Sequence, residues 1–208
     1  MPPPLRPLAT RAFLAGASLA LRGDGVTCPC CGRRYRRFLA YPSRLCPGCG
    51  AYERHRALAL LLERDPRLLP AGGRLLHVGP ERAVQAALRA RVERYAAVDI
   101  GHPLATHAMD VRALAFADGA FDAVLCLHVL CLLPDAGPAL RELARVTGAG
   151  GHALFQEPGD MDGRLPAELA DAGWETRPLR VRDVVGGEAV TRHGLDAEET
   201  FYACVRPS

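Results

Sequence analysis

The sequence contains no lysine and no asparagine, so all 26 of its basic side chains are arginine. Alongside an excess of Ala, Gly and Pro, that absence marks a bias in composition. A lone arginine is therefore a weak sign of bidentate anion recognition here. An excess of one charge is also missing: 26 basic against 23 acidic residues leave a net charge of +3, so any nucleic-acid binding must come from local clustering. Long apolar runs are absent as well. After Arg6 and Arg11 comes AFLAGASLAL, residues 12–21, which Arg22 ends. This is well short of the roughly 20 apolar residues of a membrane span. It reads as an amphipathic N-terminal helix packed on the domain, not as an export signal or a membrane partner. Aromatics are scarce at 6%, yet 49% hydrophobic residues over 208 positions suffice for a buried core in a soluble chain.

Eight cysteines would suggest disulfides in a short secreted chain, but their placement argues otherwise. Cys126, Cys131 and Cys204 fall in the apolar runs AVLCLHVLCLL and TFYACV, where cysteine acts as a small buried hydrophobe. A reducing, cytoplasmic setting is expected. Two turns share the form C-P-x-C-G: Cys28-Pro29-Cys30-Cys31-Gly32 and Cys46-Pro47-Gly48-Cys49-Gly50. Two thiolates at that spacing can point at one ion, and the closing glycine permits a positive φ. Fourteen residues separate Cys31 from Cys46, enough for a hairpin. The pattern predicts a zinc ribbon with ligands Cys28, Cys31, Cys46 and Cys49, leaving Cys30 spare; iron in a rubredoxin-like site uses similar turns. Four thiolates leave no open position, so this metal is structural.

Between the turns lies RRYRRF, and residues 28–56 carry seven arginines against one acid, Glu53. Arginine interleaved with Tyr35 and Phe38 suits a surface that tracks phosphates and stacks bases. The same pattern suits a solvated hairpin whose Arg stems cover a small core. Glu53, Arg54, His55 and Arg56 open a helix, AYERHRALALLLERD. They either cap and solvate it or reach substrate at the domain junction.

From Arg74 onward, strands and helices alternate: RLLHV, then helical ERAVQAALRARV, then RYAAVDI, FDAVLCL, helical PALRELARV and HALFQE. Alternation predicts an α/β, doubly wound (Rossmann-like), mostly parallel sheet, with ligands at the carboxyl ends of its strands. Gly79 ends the first strand and Asp99 the second, 20 residues later. An acid at that spacing can accept hydrogen bonds from the ribose hydroxyls of an adenosine-containing cofactor. Asp110 lies in a strand-end loop where it can meet an adenine amino group.

In order, LLHVGPE, AAVDIG, MDVRALAFADGAFDAVLCLHVLCLLPD and LRELARVTGAGG resemble the motifs of class I S-adenosylmethionine-dependent methyltransferases. With CPxCG…CPGCGAYERHR in front, the chain is similar to a bacterial subgroup bearing an N-terminal zinc ribbon. The resemblance covers about residues 28–160 and touches the tail at GLDAEETFYACVR, a closing strand. It implies an N-terminal helical segment (1–27), a ribbon and connecting helix (28–66) and a methyltransferase domain (67–208). It implies that His77, Val78, Gly79, Pro80 and Glu81 wrap the cofactor's methionine part. Asp99, with Ile100 beside it, would hold the ribose, Asp110 with Val111 the adenine, and Leu127 with His128 the floor near the methyl group.

His128 is then the candidate catalytic base, and Glu81 a candidate partner of the cofactor's amino group. The first motif departs from the family in having Gly79-Pro80-Glu81, and Cys131-Leu132 stand where relatives carry Glu-His. The implied activity is methyl transfer to a small molecule or RNA, the low net charge favouring the small molecule. The ribbon would shape the acceptor site. The alternative is a non-catalytic module that binds nucleic acid or protein on a degenerate methyltransferase fold.

Overall fold

The computed structural model of the chain describes residues 7–40 and 43–208. Of the expected N-terminal segment, Arg6 and what precedes it lie outside the described residues. Helix α1 (Pro7–Ala20) meets the ribbon where Ser18 Oγ and Tyr35 OH stand 2.9 Å apart, while Phe13 and Leu19 are each 63% exposed.

The ribbon is two short hairpins. Strand β1 (Arg22–Thr27) pairs antiparallel with β2 (Arg34–Tyr35), and β3 (Leu39–Ala40) with β4 (Arg44–Leu45). The two cysteine turns repeat one geometry. Gly32 N–H donates to Cys28 O at 2.8 Å and Gly50 N–H to Cys46 O at 2.9 Å, and both glycines take φ near +70°. A side chain there would be strained, which is why the closing residue of each C-P-x-C-G turn is glycine.

Helix α2 (Glu53–Arg64) leaves the ribbon and lays Leu58, Leu61 and Leu62 against the sheet. There follow β5 (Arg74–Val78), α3 (Arg82–Arg91), β6 (Arg94–Asp99), β7 (His107–Ala108), β8 (Phe121–Leu127), α4 (Gly137–Val146), β9 (Thr147–Gln156), α5 (Leu165–Asp171), β10 (Glu175–Arg180), α6 (Val181–Val185), α7 (Gly187–His193) and β11 (Thr200–Val205). Seven strands form one sheet in the order β10-β11-β9-β8-β5-β6-β7; the two pairings of β11 are antiparallel and the rest parallel. This is the expected α/β architecture. The order reverses at β5, with β6 on one side and β8 on the other, so a crevice opens at their carboxyl ends.

Strand alternation divides the core. Leu76 and Val78 face α4 and α5; Leu75 faces α2, α3 and α6. On α4 the spacing of Ala139, Leu140, Leu143 and Val146 buries each completely, the two leucines contributing about 2 kcal/mol apiece by transfer from water. Strand β9 begins at Thr147, five residues ahead of the expected HALFQE. Its glycines read as a loop, but Gly150 N–H donates to Arg206 O and Arg206 N–H to Gly151 O, so backbone pairing continues without side chains. Cys126 and Cys204 are buried as expected, whereas Cys131 is exposed. Strand β8 stops at Leu127, and Cys131 lies in a single 3₁₀ turn at the surface, Leu130–Leu132. Among the described residues no helix is long and apolar enough to cross a membrane.

Candidate active site at the carboxyl edge of the sheet

Two left-handed residues stand at the reversal point. Gly79, φ +63°, follows β5, and a Cβ placed on it would lie 2.5 Å from Val129 Cγ2. His128, φ +55°, follows β8 and is the only described non-glycine residue with positive φ, a conformation kept where surrounding contacts enforce it. Those contacts are present. His128 N–H donates to Gln156 O at 2.9 Å, and buried Glu157 accepts the N–H groups of Val129, Leu130 and Cys131 at 3.0, 3.0 and 3.2 Å. Burial raises the Glu157 pKa against the pull of those hydrogen bonds. Burial, with the charge of Arg54, depresses His128 to about 4, so its imidazole is neutral at neutral pH.

The loop after β5 is tied to α2. Tyr52 N–H donates to His55 Nδ1 at 3.1 Å, which leaves the proton on Nε2, 2.6 Å from Glu81 Oε2. Arg54 pairs with the other Glu81 oxygen. Burial alone would raise Glu81, but His55 and Arg54 outweigh it and hold the carboxyl at about 2. His77 is fully buried, bonded through Nδ1 to Tyr95 OH at 2.8 Å, and burial lowers it to about 4.

The other residues expected at the site reach the same edge of the sheet. Both hydrogen bonds of Asp99 use Oδ1, which accepts Gly101 and His102 N–H at 2.9 Å each. Ile100 beside it is 71% exposed. Asp110 pairs with Arg112 at 2.6 Å, which holds its carboxyl at about 2. Val78, Val111 and Leu127 sit in the core, at 2%, 7% and 2% exposure, and Pro80 is buried. Glu81, expected near the cofactor's amino group, has its carboxylate engaged by α2.

In the ribbon, the sulfurs of Cys28, Cys31, Cys46 and Cys49 all lie within 4.8 Å of one another. The pairs Cys28–Cys49 and Cys31–Cys46 are 3.7 and 3.8 Å apart, matching the ~3.8 Å edge of a tetrahedron built on metal–sulfur bonds of about 2.3 Å. The donor set fits a four-coordinate ion. The base-stacking reading of the ribbon is corrected: Tyr35 and Phe38 are 1% and 4% exposed and form its small core. They are unavailable to bases.

Residues 53–56 are neither a solvated face nor simply a substrate edge. Glu53 pairs with Arg44 at 2.8 Å, while His55 and Arg56 are buried. Arg56 donates to His193 O, Arg44 O, Ala51 O and Gly194 O at 2.7–2.8 Å and stacks 4.0 Å over Phe38. Its planar fork thereby joins ribbon, α2 and the end of α7.

Sequence reasoning missed the cavity itself. About 390 Å³ in volume, it lies between the start of α2 (Tyr52, Glu53, Arg54), the ends of β8 and β9 (His128, Gln156, Glu157) and the approach to β11 (Asp196, Glu198, Glu199). An acid closing the apolar strand HALFQE was the available signal; the Asp196–Glu199 segment carried none.

A sequence profile described as "Methyltransferase domain" matches residues 45–155. Among solved structures, the N-methyltransferase NodS from Bradyrhizobium japonicum WM9 superposes with a TM-score of 0.56 at 18% identity, over 75% of this chain and 97% of that one. Its complex with S-adenosylhomocysteine gives 0.54 at 17%, over 75% and 87%. A complex of the Haloferax volcanii Trm112 methyltransferase activator with a methyltransferase gives 0.56 at 15%, over 74% and 91%. These likenesses show the fold. No curated protein matches the sequence.

Proposed function

This chain belongs to the methyltransferase domain family, S-adenosylmethionine-dependent enzymes, and on that premise we propose that it methylates a small molecule held in the cavity beside His128. The observation that carries this reading is the cavity's position: it opens at the carboxyl ends of β8 and β9, with His128 and the ribbon-side helix among its walls.

S-adenosylmethionine, when bound, supplies a methyl carbon that an acceptor's lone pair attacks, the C–S bond breaking with its electrons going to sulfur. The residues proposed to hold it are those at the crevice. Asp99 has Oδ2 left for ribose hydroxyls after Oδ1 has capped the turn at Gly101 and His102. Ile100 offers an exposed apolar surface to the adenine, with Asp110 and Val111 beyond it. His77, Val78, Gly79 and Pro80 form the base of the methionine end, and Glu81 acts there by fixing the loop to Arg54 and His55. Leu127 supports the floor from within the core.

His128 faces the cavity with a neutral imidazole, supported by Gln156. Its depressed pKa makes it a weak base, so its role is to orient the acceptor. Most of the acceleration then comes from position and from excluding water. Zinc, bound by Cys28, Cys31, Cys46 and Cys49, would hold the ribbon rigid and contribute no chemistry.

The test is calorimetry of S-adenosylhomocysteine on zinc-retaining protein. Binding that Asp99→Ala weakens at least tenfold is expected. No measurable binding with zinc retained would remove the proposal.

A further inference from the structure

The cavity beside His128 has a chemistry of its own. Of its charged lining, Arg54 is neutralised by Glu81 and Glu53 by Arg44, and Glu198 is paired with Arg182 at 2.7 Å. Glu157 is occupied by backbone N–H groups. Asp196 and Glu199 have no cationic partner among the described residues; Asp196 gives the cavity its residual negative charge, and Glu199, which burial holds protonated in the empty site, adds a second when a cation draws its proton off.

A second observation is independent of charge. Gln156 is 2% exposed and donates Nε2 to Glu157 O at 3.1 Å; its buried Oε1 is supported only by the His128 imidazole and keeps a lone pair to accept from a ligand. Glu199 Oε2 is buried and unpartnered. All three residues line this one cavity. Buried polar atoms left short of partners mark where a ligand's groups belong. A carbonyl oxygen and a carboxylate oxygen can only be satisfied by donors.

We propose that the methyl acceptor is a small amine, bound as its ammonium form by Glu199 and Gln156 and screened by Asp196. This rests on reading the cavity as the acceptor site. An ammonium offers up to three donors and no acceptor, and its charge answers Asp196 and favours the ionised form of Glu199. A phosphate or carboxylate would be repelled by Asp196 and would offer Gln156 Oε1 no donor. RNA, whose approach is led by phosphate, is thereby disfavoured.

Burial, reinforced by Asp196, pushes Glu199 up to about 8 in the empty site; a bound ammonium favours its ionised form, so in the complex it is a carboxylate able to exchange a proton with the amine. For the nitrogen to act as a nucleophile, the bound ammonium returns one proton to Glu199 and exposes its lone pair. That makes Glu199 a proton acceptor at the site where His128 is too weak a base.

Ligand-observed NMR on the full, zinc-loaded chain saturated with S-adenosylhomocysteine tests this, using butylamine against butyrate and benzylamine against benzoate. Both amines should bind at least tenfold more tightly than their matched acids. Glu199→Gln should weaken amine binding at least threefold while leaving S-adenosylhomocysteine affinity unchanged. Asp196→Arg, at the exposed rim, should do the same and serves if the buried substitution unfolds the protein. Acids binding as well as amines, amines failing to bind while S-adenosylhomocysteine binds, or amine affinity unchanged in a folded variant would each overturn the inference. Loss of S-adenosylhomocysteine binding in the unaltered chain would instead overturn the methyltransferase reading of the site.

Discussion

His55 Nε2 stands 2.6 Å from Glu81 Oε2, and this contact couples the helix that leaves the cysteine ribbon to the first loop of the α/β sheet. With Arg54 on the other oxygen, Glu81 is a partly buried carboxylate held by two partners. Glu81→Gln would leave the Arg54 charge uncompensated, at a cost of about 3 kcal/mol. Because its folded pKa is depressed to about 2, Glu81 contributes stability above the ordinary glutamate range. That contribution is lost as pH falls through the folded value. Urea unfolding at pH 7 and at pH 3 should show a larger gap between the two proteins at pH 7. An equal gap at both would exclude this ion pair as the cause.

Arg56 should tolerate no substitute. Lysine keeps the charge but cannot serve four carbonyls spread across the ribbon, the start of α2 and the end of α7. Arg56→Lys should destabilise by about 3 kcal/mol by chemical denaturation. A change under about 0.5 kcal/mol, within the range of ordinary surface substitutions, would mean that the fork does not join these segments.

The turn after β5 admits only glycine for two separable reasons. Gly79→Ala faces a positive φ costing about 1 kcal/mol and a Cβ 2.5 Å from Val129 Cγ2. Paired with Val129→Ala, the steric part should be relieved while the backbone part persists. S-adenosylhomocysteine affinity should fall in the single variant and partly recover in the double. Strict additivity of the two substitutions would refute the contact.

Stripping the metal with a strong chelator should release one zinc per chain and open the segment 28–50 to proteolysis. The two large core clusters lie outside the four-cysteine cluster, so the sheet should still unfold cooperatively afterwards. Since structural zinc contributes on the order of 10 kcal/mol to a segment this small, Cys31→Ser should reproduce the proteolysis pattern without chelator. Full protection in that variant would show that the ribbon folds unaided.

The raised pKa of Glu199 has the opposite sign to that of Glu81. Burial and Asp196 favour its protonated form, with Glu53 acting the same way and Arg54 and Arg56 opposing. The folded chain therefore binds the extra proton, and stability falls as pH rises from the ordinary glutamate range through about 8. Glu199→Gln should flatten that decline in melting temperature. An unaltered slope would place the titration elsewhere.

Much of this molecule follows from rules that act within a few residues. The two C-P-x-C-G turns are legible because the φ of Gly32 and Gly50 and the geometry of paired thiolates are local. Strands at 74–78 and 121–127 are legible because apolar runs bounded by turn residues have few other uses. Gly79 and Asp99 were legible as a pair because two parallel strands joined by one helix put their ends side by side. The start of β9 was hidden, since glycines give no hydrophobic period, and its pairing partner, Arg206, is remote in sequence.

Residue types alone therefore determined the kind of sheet, the metal-sized knot and the strand ends at which we propose the cofactor. Only the tertiary structure decided which charges are spent. Arg54 and Arg56 look like surface cations until Glu81 and four distant carbonyls are found around them. Gln156 and Glu199, more than 40 positions apart, become one acceptor-rich wall only when β9 and β11 lie side by side. Whether a polar group is paired depends on long-range packing and on desolvation that packing imposes, and neither is encoded in any short stretch of chain.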